Sequence, residues 1–158
     1  MITITRADYH DPQHGYDIVR LLDAYARDPM GGGQPLSTFT REHLIARLAQ
    51  YEAISLLAYD GEQAVGLLNA FTGFSTFACR PLINIHDLAV LPDYRGRGIS
   101  LQLLSEIEYI ARERNCCKLT LEVLSNNTIA AKAYKTFGFS GYELAPEAGR
   151  AEFWEKKI

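Results

Sequence analysis

Two hydrophobic rhythms run along the chain. Residues 2–6 alternate Ile, Thr, Ile, Thr, which predicts a strand. Over residues 17–27, Ile18, Leu21, Leu22, Tyr25 and Ala26 recur at helical spacing. The cluster Asp28-Pro29-Met30-Gly31-Gly32-Gly33-Gln34-Pro35 breaks that helix and predicts a loop. Thr40 then caps a second helix reaching residue 49, with Leu44, Ile45 and Leu48 inward. Strands at 54–59 and 64–74 flank the hairpin signal Asp60-Gly61-Glu62, and a strand at 82–90 stops at Leu91-Pro92-Asp93. A helix over 97–114 turns Leu103, Leu104, Ile107, Ile110 and Ala111 inward. It places Arg112 and Arg114 in its last turn, where the helix dipole favours cations. A strand at 118–124, a helix at 127–137 and closing strands at 139–144 and 151–157 complete an α/β chain of mixed α+β type. Helices pack on one mixed sheet.

Length and charge narrow the class. The 158 residues, 47% apolar and 22% charged, fit one domain over 1–158 with a full core. Sixteen basic against nineteen acidic residues give a net charge of −3, without the basic excess of a nucleic-acid binder. No apolar run approaches a membrane span and residues 1–6 lack a signal-peptide pattern, so the expected partners include neither nucleic acid nor membrane. Cys79, Cys116 and Cys117 show no Cys-x-x-Cys spacing, which supports neither zinc nor a redox motif and fits a reducing, cytoplasmic setting. His10, His14 and His43 have no metal-ligand spacing, so no metal is expected.

The chemistry concentrates in Leu88-Ala89-Val90-Leu91-Pro92-Asp93-Tyr94-Arg95-Gly96-Arg97-Gly98-Ile99-Ser100-Leu101. A strand, a short turn and a Gly-rich bend lead into a helix, whose first backbone N–H groups have no partner inside the helix and attract phosphate. Gly96 and Gly98 let the backbone approach an anion, and Arg95 and Arg97 add charge. The Gly-Lys-Ser/Thr of a P-loop is absent, and so is the third glycine of the dinucleotide fingerprint. A second stretch, Asn127-Thr128-Ile129-Ala130-Ala131-Lys132-Ala133-Tyr134 followed by Phe137-Gly138-Phe139, puts Asn127, Ala130 and Tyr134 on one helical stripe.

Together these segments resemble the GNAT acyltransferase superfamily, whose cofactor signature is Arg/Gln-x-x-Gly-x-Gly/Ala. Here Arg95-Gly96-Arg97-Gly98-Ile99-Ser100 carries it, with Ser100 at the last small position. Asn-x-x-Ala followed by Tyr and Gly-Phe is the family's second mark. The resemblance covers residues 82–140 and implies the GNAT fold: a twisted sheet of about six to seven strands and about four helices, with central parallel strands splayed apart. It implies acetyl-CoA as co-substrate, its pyrophosphate held by the amides of Arg97, Gly98, Ile99, Ser100 and Leu101. Its pantetheine arm would lie along Leu88, Ala89 and Val90 and past Asn127 and Ala130. One backbone N–H of residues 88–90 would polarise the thioester carbonyl.

The implied reaction is N-acetylation of a primary amine on a small molecule, an amino acid or a protein N-terminus. An unperturbed lysine amine has pKa about 10.4, so about one in a thousand is neutral at pH 7 and a base is needed. Tyr134 matches the family's general-acid tyrosine. Glu122 is one candidate base, in a Leu-Glu-Val run followed by Ser125-Asn126 that is similar to the ribosomal-protein alanine acetyltransferases. His86 is the other: simple alternation places it on the face of Leu88 and Asp87 on the opposite face, unless a bulge reverses that. Acceptor contacts are expected from residues 28–37 and 143–150, with Phe71, Phe74, Phe77 and Tyr142 as pocket or core groups. Many relatives dimerise through their terminal strands, which keeps a homodimer among the expectations. An acyl-CoA sensor without turnover and a nucleotide-phosphate protein are the competing classes.

Overall fold

The computed structural model describes all 158 residues, in two compact units, 1–124 and 125–158. In the first unit β1 (Ile2–Arg6), β2 (Ile54–Asp60), β3 (Gln63–Ser75), β4 (Arg80–Val90) and β5 (Leu119–Leu121) form one sheet in that order. The first three pairings are antiparallel and β4–β5 is parallel. Helices α1 (Pro12–Arg27) and α2 (Thr38–Gln50) lie between β1 and β2 in sequence, and α3 (Ile99–Glu113) lies between β4 and β5. No helix is long and apolar enough to cross a membrane.

Strand alternation explains the two-sided packing. Ile18 and Leu21 of α1 and Leu48 of α2 bury against Leu57 of β2 and Leu67 of β3. On the opposite face Ile99, Leu103, Leu104, Ile107, Ile110 and Ala111 of α3 are buried. Gly66 of β3 allows this approach, because a Cβ there would stand 3.2 Å from Ala58 Cβ and Ile99 Cγ2 and 3.3 Å from Leu103 Cδ1. The start of α3 is thereby fixed against the sheet.

The parallel pairing is short. Ile83, Asn84 and Ile85 pair with Leu119, Thr120 and Leu121, and the Asn84 amide donates to Thr120 Oγ1 at 2.8 Å. Beyond Ile85, β4 runs on for five residues with β3 alone. The expected parallel pair is thus present, but at the edge of the sheet rather than its centre, and β5 ends where β4 continues.

The second unit holds α4 (Thr128–Phe137), ended by Gly138 in the left-handed region. Its aromatic residues contact one another: Tyr134 and Phe139 meet edge-on at 6.0 Å and Phe137 stacks with Phe139 at 6.1 Å. The closing strands expected at 139–144 and 151–157 are not formed, which corrects the count of six to seven strands to five. A lone antiparallel bridge, Glu143 with Arg150, stands in their place. Gly141 lies inside the first run, and Pro146 and Gly149 lie between the two. Leu144, Phe153 and Trp154 are exposed, so no buried face supports a pair that is marginal alone.

Gly66→Val is expected to lower stability by about 1–3 kcal/mol, because the added methyls overpack the contact between β3 and α3. Urea unfolding followed by circular dichroism measures this.

Candidate active site

The helix starts differ from one another. Asp11 caps α1 by accepting from the Gln13 and His14 amides, Ser37 caps α2 through the Thr40 amide, and Asn127 caps α4 through the Ala130 amide. At α3 the capping position is Gly98, which has no side chain to offer. The first-turn N–H groups of Ile99, Ser100 and Leu101 therefore keep their capacity for an outside acceptor. Gly96 and Gly98 both have φ of +76°, a conformation that favours glycine, and a Cβ at either would meet nothing within 4 Å. The bend is thus an open surface of backbone that an anion can approach, which is what a diphosphate requires. The side chain of Ile99 is buried in the core, so only its main chain faces this surface.

The two arginines are already engaged. Arg95 donates from Nε to the Val90 carbonyl at 3.0 Å and from Nη2 to Asp28 Oδ2 at 2.9 Å. This ties the end of β4 to the loop after α1. Asp28 is held below the usual carboxylate range, first by the Met30 amide and then by Arg95. Arg97 donates to the Asp93 carbonyl at 2.8 Å and lies over the Tyr94 ring. Ala89, Val90 and Arg95 border a cleft of about 200 Å³ whose other wall is Leu21, Ala24, Tyr25 and Asp28.

A bulge decides the faces of β4. Ala70 pairs with Ile85, but the next residue of β3, Asn69, pairs with Asp87, leaving His86 extra. His86 meets the ring of Phe71 edge-on at 4.7 Å, on the α1 side of the sheet. Past the bulge the alternation is reversed. Asp87 lies beside Asn69, on the same side as Phe71, while Leu88 pairs with the buried Leu68 on the α3 side. The expected pairing of His86 with Leu88 is therefore corrected: His86 shares its face with Asp87.

Asp87 ends a row of polar groups across the sheet. Tyr9 and Ser55 share a hydrogen bond of 2.9 Å. Ser55 Oγ donates to Asn69 Oδ1 at 2.6 Å, and Asn69 Nδ2 donates to Asp87 Oδ2 at 3.0 Å. Ser55 and Asn69 are each only 1% exposed. Burial raises the Asp87 carboxyl above its ordinary range, against the opposing effects of Asn69 and the His86 imidazole. Burial also raises the Tyr25 hydroxyl, and Asp87 and Asp28 push it the same way.

The remaining expected residues are placed as follows. Glu122 is exposed and one position beyond β5, not on the strand as expected, because pairing with β4 ends at Leu121. Asn127 stands just before α4 instead of within it, with Oδ1 accepting from the Ala130 amide at 3.3 Å. Tyr134 and Ala130 are on α4 and half-buried. Phe74, Phe77 and Tyr142 are exposed, whereas Phe71 packs at the edge of the core. No three His, Cys, Asp or Glu side chains are grouped to hold a metal ion.

A sheet whose β4 outruns its parallel partner and then enters an uncapped helix through a glycine bend is consistent with the arrangement that the GNAT resemblance implies. Residues 18–139 match the Acetyltransferase (GNAT) family, and the chain belongs to that family. Among curated proteins it is 28% identical over 115 residues to the aminoglycoside N(6')-acetyltransferase type 1 of Acinetobacter genomosp. 13, covering 70% of this chain and 75% of that one. It is 38% identical over 97 residues to the streptothricin acetyltransferase of Streptomyces lavendulae, covering 60% of this chain and 51% of the relative. Among solved structures, AAC(6')-Iy in complex with the bisubstrate analog CoA-S-monomethyl-acetylneamine superposes with a TM-score of 0.76. At 20% identity it covers 100% of this chain and 99% of that one, a likeness of fold.

Gly98→Ala is expected to lower stability by about 1–2 kcal/mol, since an L-residue is strained in the left-handed region. Gly141→Ala, at a position without positive φ, serves as the control in the same thermal-denaturation series.

Proposed function

We propose that this enzyme transfers the acetyl group of acetyl-CoA to a primary amine of a small molecule by direct attack within a ternary complex. The observation that carries this reading is the bare start of α3, the one α-helix without a side-chain cap, preceded by two glycines at positive φ. Acetyl-CoA supplies the thioester, an acyl group with a good leaving group. The amides of residues 97–101 hold its diphosphate, with Arg95 and Arg97 adding charge at the rim. The family motif assigns Asn127 and Ala130 to its pantetheine arm. The small-molecule acceptor is favoured over a protein N-terminus because the relatives' own names specify aminoglycosides and streptothricin.

The residues of β4 serve the acyl transfer. After Ile85 its edge has no parallel neighbour, so main-chain groups of Leu88, Ala89 and Val90 are available to an extended ligand, in the manner of an added strand. One N–H among them stabilises the oxyanion that forms as the amine attacks. His86, exposed and on the same face as Asp87, takes a proton from the incoming ammonium. Glu122 is the alternative base, acting through water. The new N–C bond forms and the C–S bond breaks, and the family motif assigns to the Tyr134 hydroxyl the proton that the thiolate takes. The second proton lost by the nitrogen balances that transfer through solvent.

In a thermal-shift assay acetyl-CoA is expected to raise the melting temperature and ATP to leave it unchanged. Thiol release on a panel of small amines should show turnover, with kcat reduced about 10²–10⁴-fold in Tyr134→Phe, the range for loss of general-acid catalysis. Stabilisation by ATP alone, or wild-type kcat in Tyr134→Phe at every pH, contradicts the reading.

A further inference from the structure

We propose that Asp87 is the carboxylate that receives the acceptor's ammonium group, and that Asn69, fixed by Ser55 and Tyr9, is a positioning residue that aims it. This rests on the acetyltransferase reading above and specifies its acceptor: a primary amine bound as the cation.

A polar side chain inside a sheet is tolerated only when its hydrogen bonds are met. Leu56, Leu57 and Ala58 of β2 and Val65, Leu67 and Leu68 of β3 are essentially inaccessible, yet Ser55 and Asn69 interrupt these apolar runs at equally buried positions. Apolar residues of similar volume would meet no desolvation penalty there, so a buried polar row calls for a reason beyond packing.

The donor directions supply one. The Ser55 proton goes to Asn69 Oδ1, so Ser55 Oγ accepts from Tyr9, which makes the shared 2.9 Å bond Tyr9-to-Ser55. Asn69 Oδ1 is then occupied, and the amide has a single orientation, with Nδ2 toward Asp87. Each bond fixes the next, from the loop after β1, across β2 and β3, to one carboxylate on β4. The row therefore ends by orienting an anion.

That anion lacks a counter-charge of its own kind. Asp17, Asp23 and Asp28 are each paired with an arginine. Within residues 1–124, Asp87 has the Asn69 amide, the His86 imidazole and the Tyr25 hydroxyl as its neighbours, and none of them is a lysine or arginine. It is only partly buried, so it remains accessible. The bulge places it beside the proposed base and directly before the Leu88–Ala89–Val90 backbone assigned to the thioester. A carboxylate oriented by a buried amide, without lysine or arginine, at the point of attack is suited to a primary ammonium ion. Most aliphatic amines carry that charge at neutral pH. Binding the cation here also delivers it to His86 for deprotonation.

The test uses the full chain, saturating acetyl-CoA and the best amine from the thiol-release panel. Asp87→Asn is nearly isosteric and is expected to raise KM for the amine about 10–100-fold, the loss for a hydrogen bond to a charged group. KM for acetyl-CoA and the acetyl-CoA thermal shift should stay within about twofold of wild type. Asn69→Ala should raise the amine KM in the wild-type background and add less than about twofold in Asp87→Asn, because the two act through one contact. Asp87→Glu keeps the charge and should retain more affinity than Asp87→Asn, which separates charge from folding. An unchanged amine KM in Asp87→Asn, equal effects of Asn69→Ala in both backgrounds, or equal losses for Asn and Glu overturn the assignment. Absence of thiol release by the wild type with every amine instead overturns the acetyltransferase reading, and this assignment falls with it.

Discussion

The extra residue in β4 is the constraint on which the rest depends. His86 stands unpaired between Ile85 and Asp87, so one strand carries two phases of alternation. Before it, Ile83 and Ile85 are buried and hold β4 to β5. After it, Asp87 and Ala89 turn toward α1 and Leu88 toward α3. A strand without the bulge would carry Asp87 away from Asn69, and the row from Tyr9 would have no acceptor for its last amide. The strand also loses its parallel neighbour at this point, so the change of phase and the opening of the edge coincide. Bulges bend and twist a strand locally, which accounts for that coincidence in physical terms.

From the bulge to the helix start the chain has little freedom. Leu91 donates to the Val65 carbonyl at 2.9 Å, which carries the strand's direction one residue beyond its end. Arg95 returns to the Val90 carbonyl and bridges to Asp28, closing the turn from outside. Gly96 and Gly98 then take the positive φ values that the reversal requires. Gly66 lets Ile99 and Leu103 sit close to β3, so the first turn of α3 is held by packing rather than by a cap. The amides at that turn are thus rigidly placed and chemically unspent, a combination that favours binding over self-satisfaction.

Much of this was legible in the residues. The periodicities located all four α-helices and five strands, with ends that moved by a few residues. The Gly96 and Gly98 spacing after Val90 identified the bend and, with Asn127 to Tyr134, the family. What escaped was whatever depends on one residue's worth of register. Alternation gave His86 the face of Leu88 because no local signal marks the bulge; its cause lies in pairing with β3. Asn69 and Ser55 were not singled out, because their partnership appears only with β2, β3 and β4 side by side. Glu122 was placed on a strand by its neighbours' alternation, whereas β5 stops at Leu121 where β4 provides no further partner. The closing strands failed for a related reason: apolar runs near residues 139 and 151 carry strand composition, but glycine, proline and exposure leave them unpaired.

The central claim is that the backbone from Val90 to Leu101 binds the diphosphate of a coenzyme A thioester. Amide chemical shifts of the uniformly ¹⁵N-labelled protein, followed during titration with coenzyme A, test it most directly. The account predicts the largest saturable shifts at the amides of Gly96, Arg97, Gly98, Ile99, Ser100 and Leu101, accompanied by Ala89 and Val90. Saturable binding that leaves those amides unmoved while perturbing another part of the chain would contradict it.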